Sequence, residues 1–254
     1  MTDTIPEAAP GLPGGGYQSG GRTVAAGRGW DWIVEAFALF RRQPGIWILI
    51  AVVLGILFIV VSMIPLLGSF ATALLSPIVG GGLMLGCRDL DRGGALELER
   101  LFTGFRQKTG DLVMVGAFNL VGWVVIAFTI VAVIGGGVFM GVMRGGIEGA
   151  GISIASMMVA ALLVAALSVP LYMATWFAPA LIVLQDRSAS EALKMSFVAC
   201  LRNWVPFLFY GVVLVFLSIV AAIPLGLGYL VLVPVLIASI YTAYRDIFCA
   251  GQQP

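Results

Sequence analysis

The chain has 254 residues, of which 60% are hydrophobic and only 11% are charged, with a net charge of +1. A soluble domain is about 45–50% apolar and about 25% charged, so an ordinary water-soluble globule is excluded, and the balanced charge excludes the basic footprint of a nucleic-acid binder. There is no histidine, which removes the commonest metal ligand and neutral-pH proton carrier, and Cys87, Cys200 and Cys249 make neither a disulfide framework nor a zinc spacing.

Residues 1–28, rich in Gly, Pro, Ala and Thr, contain no apolar core of the kind a secretory signal requires. They are expected to form a disordered cytoplasmic tail ahead of a transmembrane domain over 29–246. That domain opens on an amphipathic stretch. Trp30, Ile33, Val34, Phe37 and Phe40 recur at helical spacing, with Asp31, Glu35, Arg41 and Arg42 elsewhere.

The charge-free run from Gln43 to Cys87 follows, more than twice the ~20 residues that one crossing requires. It is predicted to hold two spans, about 46–63 and 69–87, joined by a turn at Pro65 and Gly68. A second amphipathic stretch sets Leu98, Leu101, Phe102 and Phe105 against Glu97, Glu99, Arg100, Arg106 and Lys108. It precedes a third span over 112–134.

Residues 135–151 carry eight glycines, including a Gly137, Gly141, Gly145, Gly149 series, and a shorter pair is Gly82 and Gly86. The run is either a small-residue packing face or an outer loop carrying Arg144 and Glu148. The fourth span, 153–184, contains Pro170 and Pro179, each expected to kink it. A third amphipathic stretch then places Leu193, Phe197, Cys200, Leu201 and Trp204 against Glu191, Lys194 and Arg202, with a predicted capping box from Ser188 to Glu191. The amphipathic stretches are either interfacial helices or bent ends of the spans. Spans five and six, 205–223 and 229–245, meet at a turn around Pro224, Gly226 and Gly228, and 247–254 is a short tail.

Six crossings put thirteen of the fourteen basic residues on one side, leaving Arg144 alone on the other. Basic residues are retained in the cytoplasm, so both termini are expected there. The first and last units also match. Pro77, Arg88 and Asp89 recur as Pro234, Arg245 and Asp246 at one constant offset, which suggests a parallel repeat.

The segment from Arg22-Thr23-Val24-Ala25-Ala26-Gly27-Arg28-Gly29-Trp30 through Arg41-Arg42-Gln43-Pro44 resembles the opening of an uncharacterised family of Gram-negative multi-pass inner-membrane proteins. Phe177-Ala178-Pro179-Ala180-Leu181-Ile182-Val183-Leu184 is similar to a pattern shared among such proteins. The resemblance covers most of 22–246 and implies an inner-membrane location. It carries no established activity and no catalytic residues.

No charged residue lies in the interior of any predicted span, Arg245 standing only at the cytoplasmic edge of the last, which argues against ion-coupled transport. The polar residues within spans include Asn119, Ser62, Thr72, Ser76, Thr129, Ser168, Thr175 and Ser218, and Asn119 could bond across helices or line a passage. Cys87 and Cys249 lie where lipidation could occur, or are bystander thiols. Trp30, Trp32, Trp47, Trp204, Tyr241 and Tyr244 are expected to act as interfacial anchors, with Trp123 and Trp176 deeper. A nucleophile would lack a histidine base, so no catalytic, cofactor or metal site is expected. The predicted class is an all-α six-helix membrane bundle whose partners are the bilayer and possible protein partners or further copies of itself. The functional alternatives are a partner-assisting protein, a transporter or channel for a small neutral or lipophilic solute, and a lipid-handling enzyme using carboxylates such as Asp89, Asp91 and Asp186.

Overall fold

A computed structural model describes residues 21–64, 67–145 and 154–249. They form ten helices: α1 (Arg28–Arg42), α2 (Pro44–Ser62), α3 (Leu67–Asp91), α4 (Arg100–Thr103), α5 (Thr109–Gly145), α6 (Ile154–Thr175), α7 (Ala178–Gln185), α8 (Ala189–Arg202), α9 (Trp204–Ala222) and α10 (Tyr229–Phe248). Six segments are long and apolar enough to cross a membrane. The fold is an all-α membrane bundle.

Local chemistry sets the corners. α1 carries Asp31 in its first turn and Arg41 and Arg42 in its last, each complementing the helix dipole. It ends at Gln43 because the residue before a proline is driven out of the helical region, and Pro44 then starts α2, where its missing N–H costs nothing. The fourth predicted span is broken into α6 and α7. Pro179 cannot donate, and the chain opens at Trp176–Phe177. The Ser196 hydroxyl from α8 fills the gap: it accepts from Phe177 N–H at 2.9 Å and donates to Met173 C=O at 2.7 Å. A side chain inserted into the helical ladder is a recognised cause of a kink.

Helix α5 departs from the expected 112–134 in the other direction. It continues to Gly145, about 55 Å in all, and so outreaches a ~30 Å hydrocarbon core. Gly135 to Gly145 are therefore helical rather than loop, while 146–151, with Glu148, lie outside the described residues.

Burial is uneven. Over half of the apolar stretch of α3 and of α10 is buried, while α2, α5, α6 and α9 bury 17% or less. α3 and α10, the two helices carrying the matched prolines, form the central pair, and the other four present apolar flanks outward. The main core lies at the charged end. There Trp32, Cys87, Leu101, Leu181 and Phe248, from five different helices, are buried together with Phe177 at the break between α6 and α7.

The chain forms three units, each an amphipathic segment followed by a hairpin: α1–α2–α3, α4–α5–α6 and α8–α9–α10. They are arranged cyclically. α4 packs on α3 of the unit before it, α8 packs on α6 of the unit before it, and α1 packs on α10 of the last unit. Neighbouring spans follow the same rule, α5 against α3 and α2 against α10. The third such pair, α6 and α9, does not pack side by side.

Candidate functional site

The polar chemistry of the described residues is concentrated at the charged end, where it closes this ring. Asp246, at the end of α10, has a side chain only 3% exposed. It accepts from Arg28 Nε at 2.6 Å, from Trp32 Nε1 at 2.9 Å and from the Arg22 guanidinium, and Arg22 Nε also donates to its backbone oxygen at 2.6 Å. Burial works against the charge on Arg28, but the hydrogen bond and charge of Asp246, with Glu35 and Asp31 behind it, hold that guanidinium above its ordinary pKa. Next to this cluster Arg245 spans Glu35 of α1 and Asp91 of α3, both at 2.7 Å, and Tyr241 donates to Asp91 at 3.1 Å.

A second set of contacts repeats around the ring. Gln43 Oε1, between α1 and α2, accepts from Leu96 N–H at 2.8 Å, four residues ahead of α4. Asn203 Oδ1, between α8 and α9, accepts from Val24 N–H at 2.9 Å, four residues ahead of α1. Asp111, in the first turn of α5, accepts from Ala189 N–H at the start of α8, also at 2.9 Å. In each case a side-chain oxygen near the start of one hairpin holds the lead-in of the next unit. Asn203 is fully buried and also donates to Arg22 and Ala199 carbonyls.

Several sequence expectations change here. The described part of the expected tail, from Gly21, is seated against α8 and α10, because Arg22 and Val24 find buried partners on Asp246 and Asn203; residues 1–20 lie outside the described residues. At the other end Ile247 and Phe248 are buried in α10 rather than starting a tail, while 250–254 lie outside the described residues. The Ser188 capping box does not form; Asp111 supplies the acceptor instead. Of the second amphipathic stretch only the single turn α4 is helical. Gly82 and Gly86 let it lie on α3, where a methyl at Gly82 would collide with the Arg100 carbonyl. Of the six expected anchors only Trp30 and Trp204 are exposed; Trp32, Trp47, Tyr241 and Tyr244 belong to the core.

Asp89, Asp91 and Asp186 do not converge. Arg100 takes Asp89 at 2.7 Å, Arg245 takes Asp91, and Lys108 takes Asp186 at 2.7 Å. The Asp186 hydrogen bond, reinforced by the charges of Asp186 and Asp111, raises the Lys108 pKa. Ser62, Ser76, Thr129, Ser168 and Thr175 bond back to their own helices. Asn119 is half-buried on α5 and makes no hydrogen bond among the described residues. Cys87 is wholly buried, and burial pushes the Cys200 thiol up to about 12, eased by a hydrogen bond with Ser196. No cluster of metal-ligating side chains occurs among the described residues.

Two apolar grooves open on the outer flanks. One, of about 570 Å3, lies between α5, α6 and α8, lined by Phe118, Gly122, Leu167, Pro170, Leu193 and Phe197 among others, with Ser190 and Lys194 also on its wall. The other, of about 470 Å3, lies between α1, α9 and α10, lined by Ile33, Val34, Phe37, Val220, Pro224 and Val231 among others. Each is bounded by the hairpin of one unit and the amphipathic helix of the next.

Over 250 aligned residues the chain is 30% identical to a probable inner membrane protein of Burkholderia thailandensis, the alignment covering 89% of this chain and 92% of that protein. No family model matches the chain. No solved structure matches it.

Proposed function

The chain belongs to the same family as that Burkholderia protein, and from this premise we propose that it is a non-catalytic inner-membrane protein that organises or assists a protein partner. The observation that carries the reading is the division of labour within the bundle. One end is tied into a plate by three interlocking hydrogen bonds and the Asp246 cluster, while α2, α5, α6 and α9 keep apolar flanks uncovered within the span. A rigid plate with uncovered spans suits lateral association, since neighbouring helices in lipid associate through packing rather than through hydrophobic drive. The carboxylates each hold a cation of another element, which supports a structural rather than a chemical role for them.

In this reading both termini are cytoplasmic and the plate faces the cytoplasm, supported by thirteen of the fourteen basic residues falling on that side. The segment from Arg22 to Arg28 then serves the clamp, to which Arg22, Val24 and Arg28 all contribute hydrogen bonds. Chemical crosslinking in the native membrane, followed by purification in native-lipid particles, tests the reading. A defined partner or oligomer supports it, and a strictly monomeric, partner-free protein overturns it.

The two grooves favour a second reading, carriage of a small neutral or lipophilic solute. Solute uptake and export that stay unchanged on deletion across a broad panel would remove it.

A further inference from the structure

The two grooves are related by the internal repeat. On the wall of the first, α8 contributes Ser190, Leu193, Lys194 and Phe197; on the wall of the second, α1 contributes Trp30, Ile33, Val34 and Phe37. Each member of the first set stands 160 residues after its counterpart in the second. The same offset relates Asn203 to Gln43, the residues at the two helix corners. The same surface of each amphipathic helix therefore closes the same kind of groove twice, and the apolar positions agree: Leu193 with Ile33, and Phe197 with Phe37.

The remaining positions do not agree. Where α1 has Val34, α8 has Lys194, an exposed cation with no ion pair among the described residues, and where α1 has Trp30, α8 has the hydroxyl of Ser190. A lysine on an amphipathic helix buries its stem along apolar surface and carries its ammonium to the headgroup level. The α5/α6/α8 groove thus combines an apolar trough with a cation and a hydroxyl beside it, and its volume falls within the range of about 300–1,000 Å3 typical of small-molecule sites. Its repeat counterpart is apolar on the matching wall.

We propose that the α5/α6/α8 groove is a binding site for an anionic phospholipid. One acyl chain lies along Phe118, Gly122, Leu167 and Pro170, and the phosphate sits on Lys194 with Ser190 as a second donor. The counterpart groove at α1 takes an acyl chain without selecting its headgroup. Charge complementarity names the occupant: a headgroup of net negative charge satisfies the Lys194 ammonium at the membrane surface, whereas a zwitterionic headgroup brings a cation of its own that offsets the gain. This goes beyond the partner-assisting reading and does not depend on it.

The test uses the full chain purified in mild detergent, titrated with phosphatidylglycerol or phosphatidylcholine, with bound lipids counted by native mass spectrometry. The wild type is expected to retain phosphatidylglycerol in preference to phosphatidylcholine. Lys194→Gln should cut that preference about fivefold, the equivalent of about 1 kcal/mol for one cation near a headgroup, and Lys194→Arg should keep it. Leu167→Trp, which fills the trough, should reduce retention of both lipids, and Val34→Lys should add a second selective site. An unchanged preference in Lys194→Gln overturns the proposal, as does undiminished retention in a folded Leu167→Trp. If Leu167→Trp does not fold, the Gln and Arg pair decides alone. A photocrosslinker at Phe197 that captures a second copy instead of lipid overturns it as well.

Discussion

Replacing Asp246 with alanine should loosen the end of the bundle that holds the first and last helices together. The carboxylate is 3% exposed and takes donors from Arg22, Arg28 and Trp32. Removing one partner of a buried ion pair costs about 3–5 kcal/mol when the other is left stranded. The guanidiniums are not fully stranded here: the Arg22 and Arg28 side chains are 39% and 26% exposed, and Arg28 keeps Glu35 and Asp31. Solvent screening reduces the ionic part, while the Trp32 indole loses a buried acceptor at about 1–3 kcal/mol. The net expectation is about 2–4 kcal/mol, or a fall of roughly 5–15 °C in melting midpoint. The assay is a thermal scan in mild detergent at fixed scan rate with intrinsic tryptophan fluorescence, paired with limited proteolysis read at residues 21–28. Asp31→Ala is the control, because its side chain is 47% exposed and its pair with Arg28 should contribute no more than about 1 kcal/mol. If Asp246→Ala melts with Asp31→Ala and its N-terminal segment is cut no faster than in wild type, the clamp does not hold that segment and the reasoning fails.

Asn203→Ala removes the acceptor for Val24 and the donor to Arg22, so protease sensitivity should rise at 21–27 before any loss of the spans. Gly29→Ala places a methyl 2.5 Å from the Pro206 oxygen and should destabilise by about 1–3 kcal/mol, whereas Gly135→Ala meets nothing within 4 Å and should be neutral or stabilising by up to about 1 kcal/mol; melting of the two variants compares them directly. Because burial raises Cys200 to about 12, this thiol should resist thiolate-directed reagents in the folded protein through pH 9, where an ordinary thiol is largely ionised, and label only on denaturation; fast labelling of Cys200 at pH 8, located by peptide mapping, would contradict this. Alkaline phosphatase fused after residue 254 should be inactive, and activity there would reverse the proposed orientation.

The charge-free runs located all six crossing segments, because excluding ions from a bilayer leaves a signal long enough to survive in one sequence. Boundaries were harder. Pro179 signalled a kink, but Ser196, which completes the break, comes from another helix nineteen residues beyond Phe177, and no local pattern announces it. The periodicity of α1 puts Trp30, Val34 and Phe37 on its apolar stripe, yet these three are exposed and the protein core is covered by Trp32 and Ala36, because spacing marks a face as apolar without saying whether protein or bilayer covers it. The clamp was least legible of all. Arg22 and Asp246 lie 224 positions apart, and Gly21 to Gly27 have a composition that suggests disorder until their partners are known. The proline-to-exit-pair match did register the repeat, yet its cyclic arrangement required seeing which unit each amphipathic segment packs against.

The ring also constrains the order in which the chain can be completed during synthesis. Domains form from the N-terminus as the chain emerges, yet α1 leans on α9 and α10, and the residues ahead of it wait for Asn203 and Asp246. Until the final span is inserted, the first helix lacks its main seat, because most of its packing is against α9 and α10 and only a minor part against α2 and α3. A chain interrupted anywhere before Asp246 would therefore expose its own beginning to proteolysis, which makes the N-terminal segment a reporter of whether the C-terminal helix has arrived.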